Sequence, residues 1–156
     1  MNQLRRAFMK NAGAMGTVAV AIATGLLKPV AAFAATWNSS AFTAKDPVEA
    51  INNAGFGSAT ESSGIELKTP DIAENGAVVP ISATSNIPGT TSMAFFVEKN
   101  PTPLIASFEF SNGADAYVST RVKMAKTSIV RVNVKAGGKT YTASREVKVT
   151  IGGCGG

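Results

Sequence analysis

The residue with the most distinctive chemistry in this sequence is its single cysteine, Cys154. Two glycines precede it, Gly152 and Gly153, and two follow it, Gly155 and Gly156. Glycine has no side chain to pack and the greatest backbone freedom, so we expect residues 152–156 to form a flexible arm that carries a thiol. Fully extended, five residues span roughly 17 Å, which would let the thiol enter a narrow cleft of another protein.

Nothing adjacent to Cys154 in the sequence would activate its thiol. A free thiol has a pKa of about 8.5 and is deprotonated by a nearby cation or a helix N-terminus, and no Lys, Arg or His stands beside this cysteine. The chain has no histidine, which excludes Ser-His-Asp and Cys-His catalysis and histidine-ligated metals. A lone cysteine also excludes an intrachain disulfide and a thiolate cluster. We therefore expect a carrier that presents its thiol to enzymes, with no catalytic residue, metal or cofactor of its own.

Two alternatives to a carrier remain open. The cysteine could form an intermolecular disulfide, which an oxidising compartment permits, and the protein would then be a structural domain that dimerises through Cys154. The thiol could also belong to an enzyme that acts alone, but this alternative lacks a neighbouring base.

Residues 1–34 have the features of an export signal. Arg5 and Arg6 open a positive region, the stretch 11–27 is uncharged and rich in small and apolar residues, and Ala32-Phe33-Ala34 is a cleavage motif. The paired arginines resemble a twin-arginine signal, which exports folded proteins. The uncharged stretch is shorter than the ~20 residues that a spanning helix needs. We expect cleavage after Ala34 and a periplasmic mature protein without a membrane anchor.

The basic charge of the chain belongs mostly to this leader. The formal net charge is +5, but four of the 15 basic residues and none of the 10 acidic ones lie in residues 1–34. The remainder has no block of Lys and Arg that would bind phosphates, so we expect no nucleic-acid partner. Arg121, Arg131 and Lys135 could steer an anionic substrate, but such charges are routine on solvated strand faces, and we prefer that interpretation.

Residues 35–64 are predicted to form an N-terminal extension with one short helix. Residues 35–45 look like an extended lead-in. Asp46 at the N-cap and Pro47 in the first turn then predict a helix that ends near Gly55. Its apolar positions, which we expect to share one side, are Val48, Ala50, Ile51 and Ala54.

Residues 65–151 are predicted to fold as an immunoglobulin-like antiparallel β-sandwich. Turn residues separate short β-rich runs, and Gly137-Gly138 predicts a two-residue hairpin. The runs lie near 65–69, 77–84, 93–99, 103–111, 116–124, 128–136 and 140–151. The alternation of apolar and polar residues in three of them predicts one buried and one wet face per strand. The apolar sets are Val118, Val122 and Met124; Val130, Val132 and Val134; and Val147, Val149 and Ile151.

Several segments resemble the SoxY family of sulfur-compound carriers. The stretch from Ala143 through Ile151 to the Gly-Gly-Cys-Gly-Gly motif looks like the end of that family. The segments 73–81, 98–101 and 118–122 are also similar, as are the leader and the short helix. The resemblance covers nearly the whole chain.

The resemblance implies a covalent carrier in periplasmic thiosulfate oxidation. Cys154 would be the attachment point for thiosulfate-derived sulfur, on an arm made by the four glycines. SoxY pairs with SoxZ as a heterodimer; a haem enzyme, SoxXA, joins thiosulfate to the cysteine, SoxB hydrolyses the sulfone, and SoxCD, where present, oxidises the remaining sulfur. Both the joining and the hydrolysis need external enzymes, because this chain offers neither a redox cofactor site nor a metal site.

Overall fold

The structure is a computed structural model, and it describes residues 37–111 and 113–151. The predicted signal at 1–34 and the Gly-Gly-Cys-Gly-Gly segment lie outside the described residues. Two short helices precede nine strands. The helices are α1 (Ser39–Thr43) and α2 (Pro47–Asn53); the strands are β1 (Thr60–Glu61), β2 (Ile65–Lys68), β3 (Ile72–Ala73), β4 (Val79–Ser85), β5 (Thr90–Val97), β6 (Leu104–Glu109), β7 (Tyr117–Val122), β8 (Ser128–Ala136) and β9 (Lys139–Val149).

The strands form two sheets that face each other across one apolar core. One sheet has the order β1-β9-β8-β5-β6, and the other has the order β2-β4-β7. Inward-facing side chains of both sheets fill the core, because successive residues of a strand point to opposite faces. Its fully buried members include Val79, Phe95, Val132 and Val147. The predicted antiparallel, immunoglobulin-like sandwich is confirmed.

The prediction missed two short strands that pair with the outer edge of β9. Thr60 of β1 pairs with Tyr141, and Ala73 of β3 pairs with Val149, and both pairings are parallel. Strands of two residues carry too little alternation to be recognised in a sequence. Together they cover part of an edge that would otherwise present unpaired backbone groups.

The hairpin and two of the three apolar alternations are confirmed. Gly137 and Gly138 both have positive φ, 56° and 74°, and they join Ala136 to its pairing partner Lys139. A two-residue turn of this kind requires φ > 0 at both positions, which glycine adopts without strain. The apolar sets of β7 and β8 are buried. In the third set Val147 is buried, but the prediction was wrong for Ile151, which is 68% exposed because β9 ends at Val149.

The lead-in is helical rather than extended, so that prediction was wrong. Asn38 caps α1 by accepting a hydrogen bond from the amide of Ala41 at 3.1 Å, which satisfies one free helix donor. The rings of Trp37 and Phe42 stack with centroids 4.3 Å apart, and Ala41 is fully buried. Tertiary packing thus stabilises a five-residue helix that would be marginal alone.

Helix α2 has the predicted start and end, with one wrong residue. The carboxylate of Asp46 accepts hydrogen bonds from the amides of Val48 and Glu49, and Gly55 follows the C-cap with φ 77°. Val48 is 64% exposed and does not belong to the buried side that Ala50 forms. No helix within the described residues is long and apolar enough to cross a membrane.

The two helices cover the outer face of the larger sheet and form a second apolar cluster there. Ala41, Ala50 and Phe56 pack against Phe96 and Leu104. This layer also buries Asn133, a residue that strand alternation alone assigned to the wet face. Its carboxamide is satisfied there: it donates to the carbonyl of Phe56 at 3.3 Å and accepts from the hydroxyl of Thr142 at 2.7 Å.

Candidate functional site

The candidate site begins at the end of β9, where residues 150 and 151 lead to the segment that contains Cys154. The predicted site residues Cys154, Gly152, Gly153, Gly155 and Gly156 lie outside the described residues, as do Arg5 and Arg6. The structure therefore describes the base from which the proposed arm departs. That base consists of the last part of β9, the segment 71–78 beside it, and the loops 98–103 and 123–127.

Strand β3 holds one side of this base. Asp71 accepts a backbone hydrogen bond from Lys148 at 3.0 Å, and Ala73 accepts one from Thr150 at 3.1 Å. The hydroxyl of Thr150 also donates to the carbonyl of Glu74 at 3.0 Å. The main chain is thus fixed one residue beyond the end of the β9 strand.

Gly76 extends this fixation to Ile151 and joins it to the opposite sheet. Its amide donates to the carbonyl of Ile151 at 2.8 Å, and its carbonyl accepts from the amide of Met124 at 2.7 Å. Met124 is fully buried in the core, directly after β7. The last described residue is therefore connected to both sheets of the sandwich through one buried glycine.

Polar side chains fix the loop on the other side of the base. The hydroxyl of Thr127 accepts a hydrogen bond from the amide of Val149 at 3.0 Å. The carboxamide of Asn100, which is only 9% exposed, donates to the carbonyl of Lys123 at 2.7 Å and accepts from the amide of Ala125 at 3.0 Å. These bonds set the position of residues 123–127 relative to the end of β9.

The length of the chain limits how far Cys154 can lie from Ile151. Three peptide units separate its Cα atom from that of Ile151, so the two atoms lie at most about 11 Å apart whatever the conformation between them. Ile151 is 68% exposed.

The segments that form this base carry four exposed lysines: Lys99, Lys123, Lys126 and Lys148. Two acidic residues of the same end are engaged in ion pairs, Asp71 with Arg145 at 3.0 Å and Glu98 with Arg131 at 2.7 Å. Within the described residues, Glu74 and Glu146 are the remaining acids of this region. Sequence reasoning missed the lysines because it considered only the neighbours of Cys154 along the chain.

The other cations considered in the sequence have structural surroundings. The guanidinium of Arg131 is half-buried against Glu98, with two nitrogens bonded to one carboxylate oxygen. The ammonium of Lys135 lies 4.6 Å from the centre of the Phe56 ring. Arg121 is exposed on the smaller sheet. Among the described residues no group of three or more His, Cys, Asp or Glu side chains is arranged to hold a metal ion.

Two solved structures are similar to this chain over the domain. The sulfur carrier protein SoxY from Chlorobium limicola f thiosulfatophilum is 49% identical, covers 63% of this chain and 91% of its own, and superposes with a TM-score of 0.57. Superoxide reductase (neelaredoxin) from Ignicoccus hospitalis is 16% identical, covers 64% of this chain and 86% of its own, and has a TM-score of 0.50, which shows a similar fold alone.

Comparison with curated proteins and with protein families gives one match. No curated protein matches the chain. The family model described as "Sulfur oxidation protein SoxY" matches residues 52–154, which include most of the described domain and extend to the lone cysteine. This chain belongs to the SoxY family of sulfur carrier proteins.

Proposed function

We propose that this protein is a non-catalytic covalent carrier of sulfur intermediates in periplasmic thiosulfate oxidation. Cys154 is the attachment point, and Gly152, Gly153, Gly155 and Gly156 form a swinging arm that brings the attached group to partner enzymes. The observation that carries the proposal is that the family match reaches residue 154, the only cysteine in the chain.

The hydrogen-bonded base supports the proposal that the arm is the part of the protein that moves. Hydrogen bonds fix the main chain up to the carbonyl of Ile151, and the glycines begin at the next residue. A rigid base with a glycine-only continuation lets the thiol enter a deep cleft while the folded domain stays outside it. A domain that used the cysteine only for packing would have no need of this arrangement.

The reactions proposed for the partner enzymes balance in atoms and electrons without a cofactor on this chain. Joining the Cys154 thiolate to the outer sulfur of thiosulfate forms one S–S bond and releases two electrons, which a haem enzyme of the SoxXA type accepts. Water then attacks the sulfone in an enzyme of the SoxB type, which releases sulfate and leaves a persulfide on Cys154. Where SoxCD is present, it oxidises that remaining sulfur.

The proposed setting follows from the leader and the family. The twin-arginine-like signal with Arg5 and Arg6 would export the folded chain to the periplasm, and a SoxZ subunit would travel with it as a heterodimer. The mature protein would start after residue 34.

Intact-mass measurement of the purified complex tests the proposal. After incubation with thiosulfate and the SoxXA-type enzyme of the same host, the chain should gain the mass of one S₂O₃ group, and peptide mapping should locate it on Cys154. The Cys154→Ser variant should gain nothing. If the only product is a disulfide-linked dimer, the protein is a structural domain that dimerises through Cys154, and the carrier proposal is wrong.

A further inference from the structure

Asn75 and Gly76 form an Asn-Gly pair in the segment that holds the end of β9. Asn75 is exposed to solvent, whereas Gly76 is buried. An asparagine that precedes glycine is especially prone to spontaneous deamidation, because glycine has no side chain to obstruct the attack of its backbone nitrogen on the carboxamide. The chain therefore carries a reactive pair of residues beside the last residues of β9.

Hydrogen bonds hold both of the groups that must react. The amide of Gly76, which contains the attacking nitrogen, donates to the carbonyl of Ile151 at 2.8 Å. The carboxamide oxygen of Asn75 accepts from the amide of Ala77 at 2.8 Å, which holds the side chain in a turn over the backbone that follows it. The proton that Gly76 must lose is therefore bonded to another part of the protein.

The neighbouring backbone groups restrict the rotation that the reaction requires. The carbonyl of Gly76 accepts a hydrogen bond from the amide of the buried Met124 at 2.7 Å. The carbonyl of Asn75 accepts one from the amide of Val78 at 3.4 Å. Because the nitrogen of Gly76 has to turn toward the side chain before it can attack, its bond to Ile151 has to open first.

We propose that Asn75 is a site of spontaneous deamidation and that the attachment of the end of β9 protects it. The reaction is suppressed while Gly76 is bonded to Ile151, and it proceeds in molecules in which this stretch of chain has opened locally. The rate of modification therefore reports how often the end of β9 detaches from the segment 71–78. No step involves Cys154, so the outcome is independent of the carrier function.

The reaction consumes only water and involves no oxidation or reduction. The nitrogen of Gly76 loses its proton and attacks Cγ of Asn75, the bond from Cγ to the carboxamide nitrogen breaks, and ammonia leaves. The resulting succinimide ring is then opened by water at one of its two carbonyls, which gives either aspartate or isoaspartate. Both products replace a neutral carboxamide with a carboxylate, directly after Glu74.

The isoaspartate product should release the end of β9. In this product the main chain runs through the former side chain, which adds one carbon atom between the Cα of residue 75 and the nitrogen of Gly76. The added carbon displaces the amide of Gly76 from the carbonyl of Ile151. Hydrogen exchange at the Gly76 amide should therefore be slow in the unmodified protein and fast in the isolated isoaspartate form.

Peptide mapping by mass spectrometry of the incubated protein tests the proposal. The protein is kept at mildly alkaline pH, either folded or in concentrated guanidinium chloride, and the conversion of Asn75 to its acidic products is followed over time. Mapping separates this site from the second Asn-Gly pair of the sequence, Asn112-Gly113. Asn75 should convert at least about tenfold more slowly in the folded protein than in the denatured one. Equal rates would overturn the proposal.

A matched pair of threonine variants tests whether the end of β9 provides the protection. The hydroxyl of Thr150 donates to the carbonyl of Glu74 at 3.0 Å, whereas Thr140 pairs with Lys135 at the other end of β9. Thr150→Val should speed the conversion of Asn75 in the folded protein by about two- to tenfold, the effect of losing one hydrogen bond, and Thr140→Val should leave it unchanged. In guanidinium chloride both variants should match the parent protein. Equal rates for the two folded variants would show that the end of β9 does not protect Asn75, and the proposal would be wrong.

Discussion

The amide of Gly76 donates a 2.8 Å hydrogen bond to the carbonyl of Ile151, and this bond fixes the last described residue of the chain. Because the carbonyl of Gly76 accepts from the buried Met124, the bond also links the end of β9 to the smaller sheet. We therefore expect the boundary between the folded domain and the proposed arm to lie between Ile151 and Gly152. The backbone should be rigid on the domain side of this boundary and mobile on the other side.

Backbone dynamics should change abruptly at that boundary. NMR order parameters should be about 0.85 at Lys148 and Thr150, whose amides are hydrogen-bonded, and below about 0.6 at Gly153 and Gly155. The amide of Gly76 should exchange slowly with solvent, as the internal reference. Order parameters at Gly153 and Gly155 as high as those of β9 would contradict a swinging arm.

Asn100 should be the side chain of the arm base whose loss costs most stability. Asn100→Ala leaves the carbonyl of Lys123 and the amide of Ala125 without their partner in a largely buried position, so the free energy of unfolding should fall by about 1–3 kcal/mol in urea. Asn75→Ala is the matched control, because Asn75 is exposed and its carboxamide accepts from the amide of Ala77; the substitution should cost about 0.5 kcal/mol or less. Equal losses would show that Asn100 does not hold the base.

A bulky residue in the glycine segment should impair enzymatic loading specifically. Gly153→Val adds a branched side chain beside Cys154 and restricts the backbone, so loading by the SoxXA-type enzyme should fall by at least about tenfold. The rate of the same variant with tetrathionate in free solution should change by less than about twofold, because no cleft has to be entered. Loading at the parental rate would show that a slender arm is unnecessary.

Local sequence patterns predict part of this architecture, and the rest depends on packing between distant segments. Gly137-Gly138 specifies its hairpin because the turn needs two positive φ values, and the alternation around Val132 specifies a buried face. Helix α1 depends on a cap and on the stacking of Trp37 with Phe42, which periodicity over five residues cannot reveal. The burial of Asn133 depends likewise on the helical layer above it.

The candidate site can likewise be predicted only in part from the sequence. A thiol flanked by glycines can be recognised from Cys154 and its neighbours, since the glycines have no side chains to pack. The base of the proposed arm cannot, because Asn100, Thr127 and Val149 are far apart in the sequence and their segments are joined only once β5, β8 and β9 are paired. Hydrogen bonds that form only after strand pairing carry no local sequence signal.

Export should depend on the paired arginines of the leader. Arg5→Lys/Arg6→Lys keeps the positive charge but removes the residues typical of twin-arginine signals, so the precursor should accumulate in the cytoplasm. Lys28→Arg, which changes a cation elsewhere in the leader, should be exported and processed as the parent protein is. Fractionation with N-terminal sequencing, which should begin at Ala35, measures both; equal export of the two variants would contradict the twin-arginine assignment.

Thiosulfate turnover by the reconstituted system with Cys154→Ser tests the carrier function most directly. The variant protein replaces the parent in a mixture of the partner subunit and the partner enzymes, and sulfate release is followed while thermal unfolding is measured in parallel. We predict that sulfate release falls to the level of a mixture without this protein, and that the unfolding temperature stays within about 1 °C, because the residue lies beyond the last strand. Sulfate release at the parental rate would contradict covalent transport on Cys154.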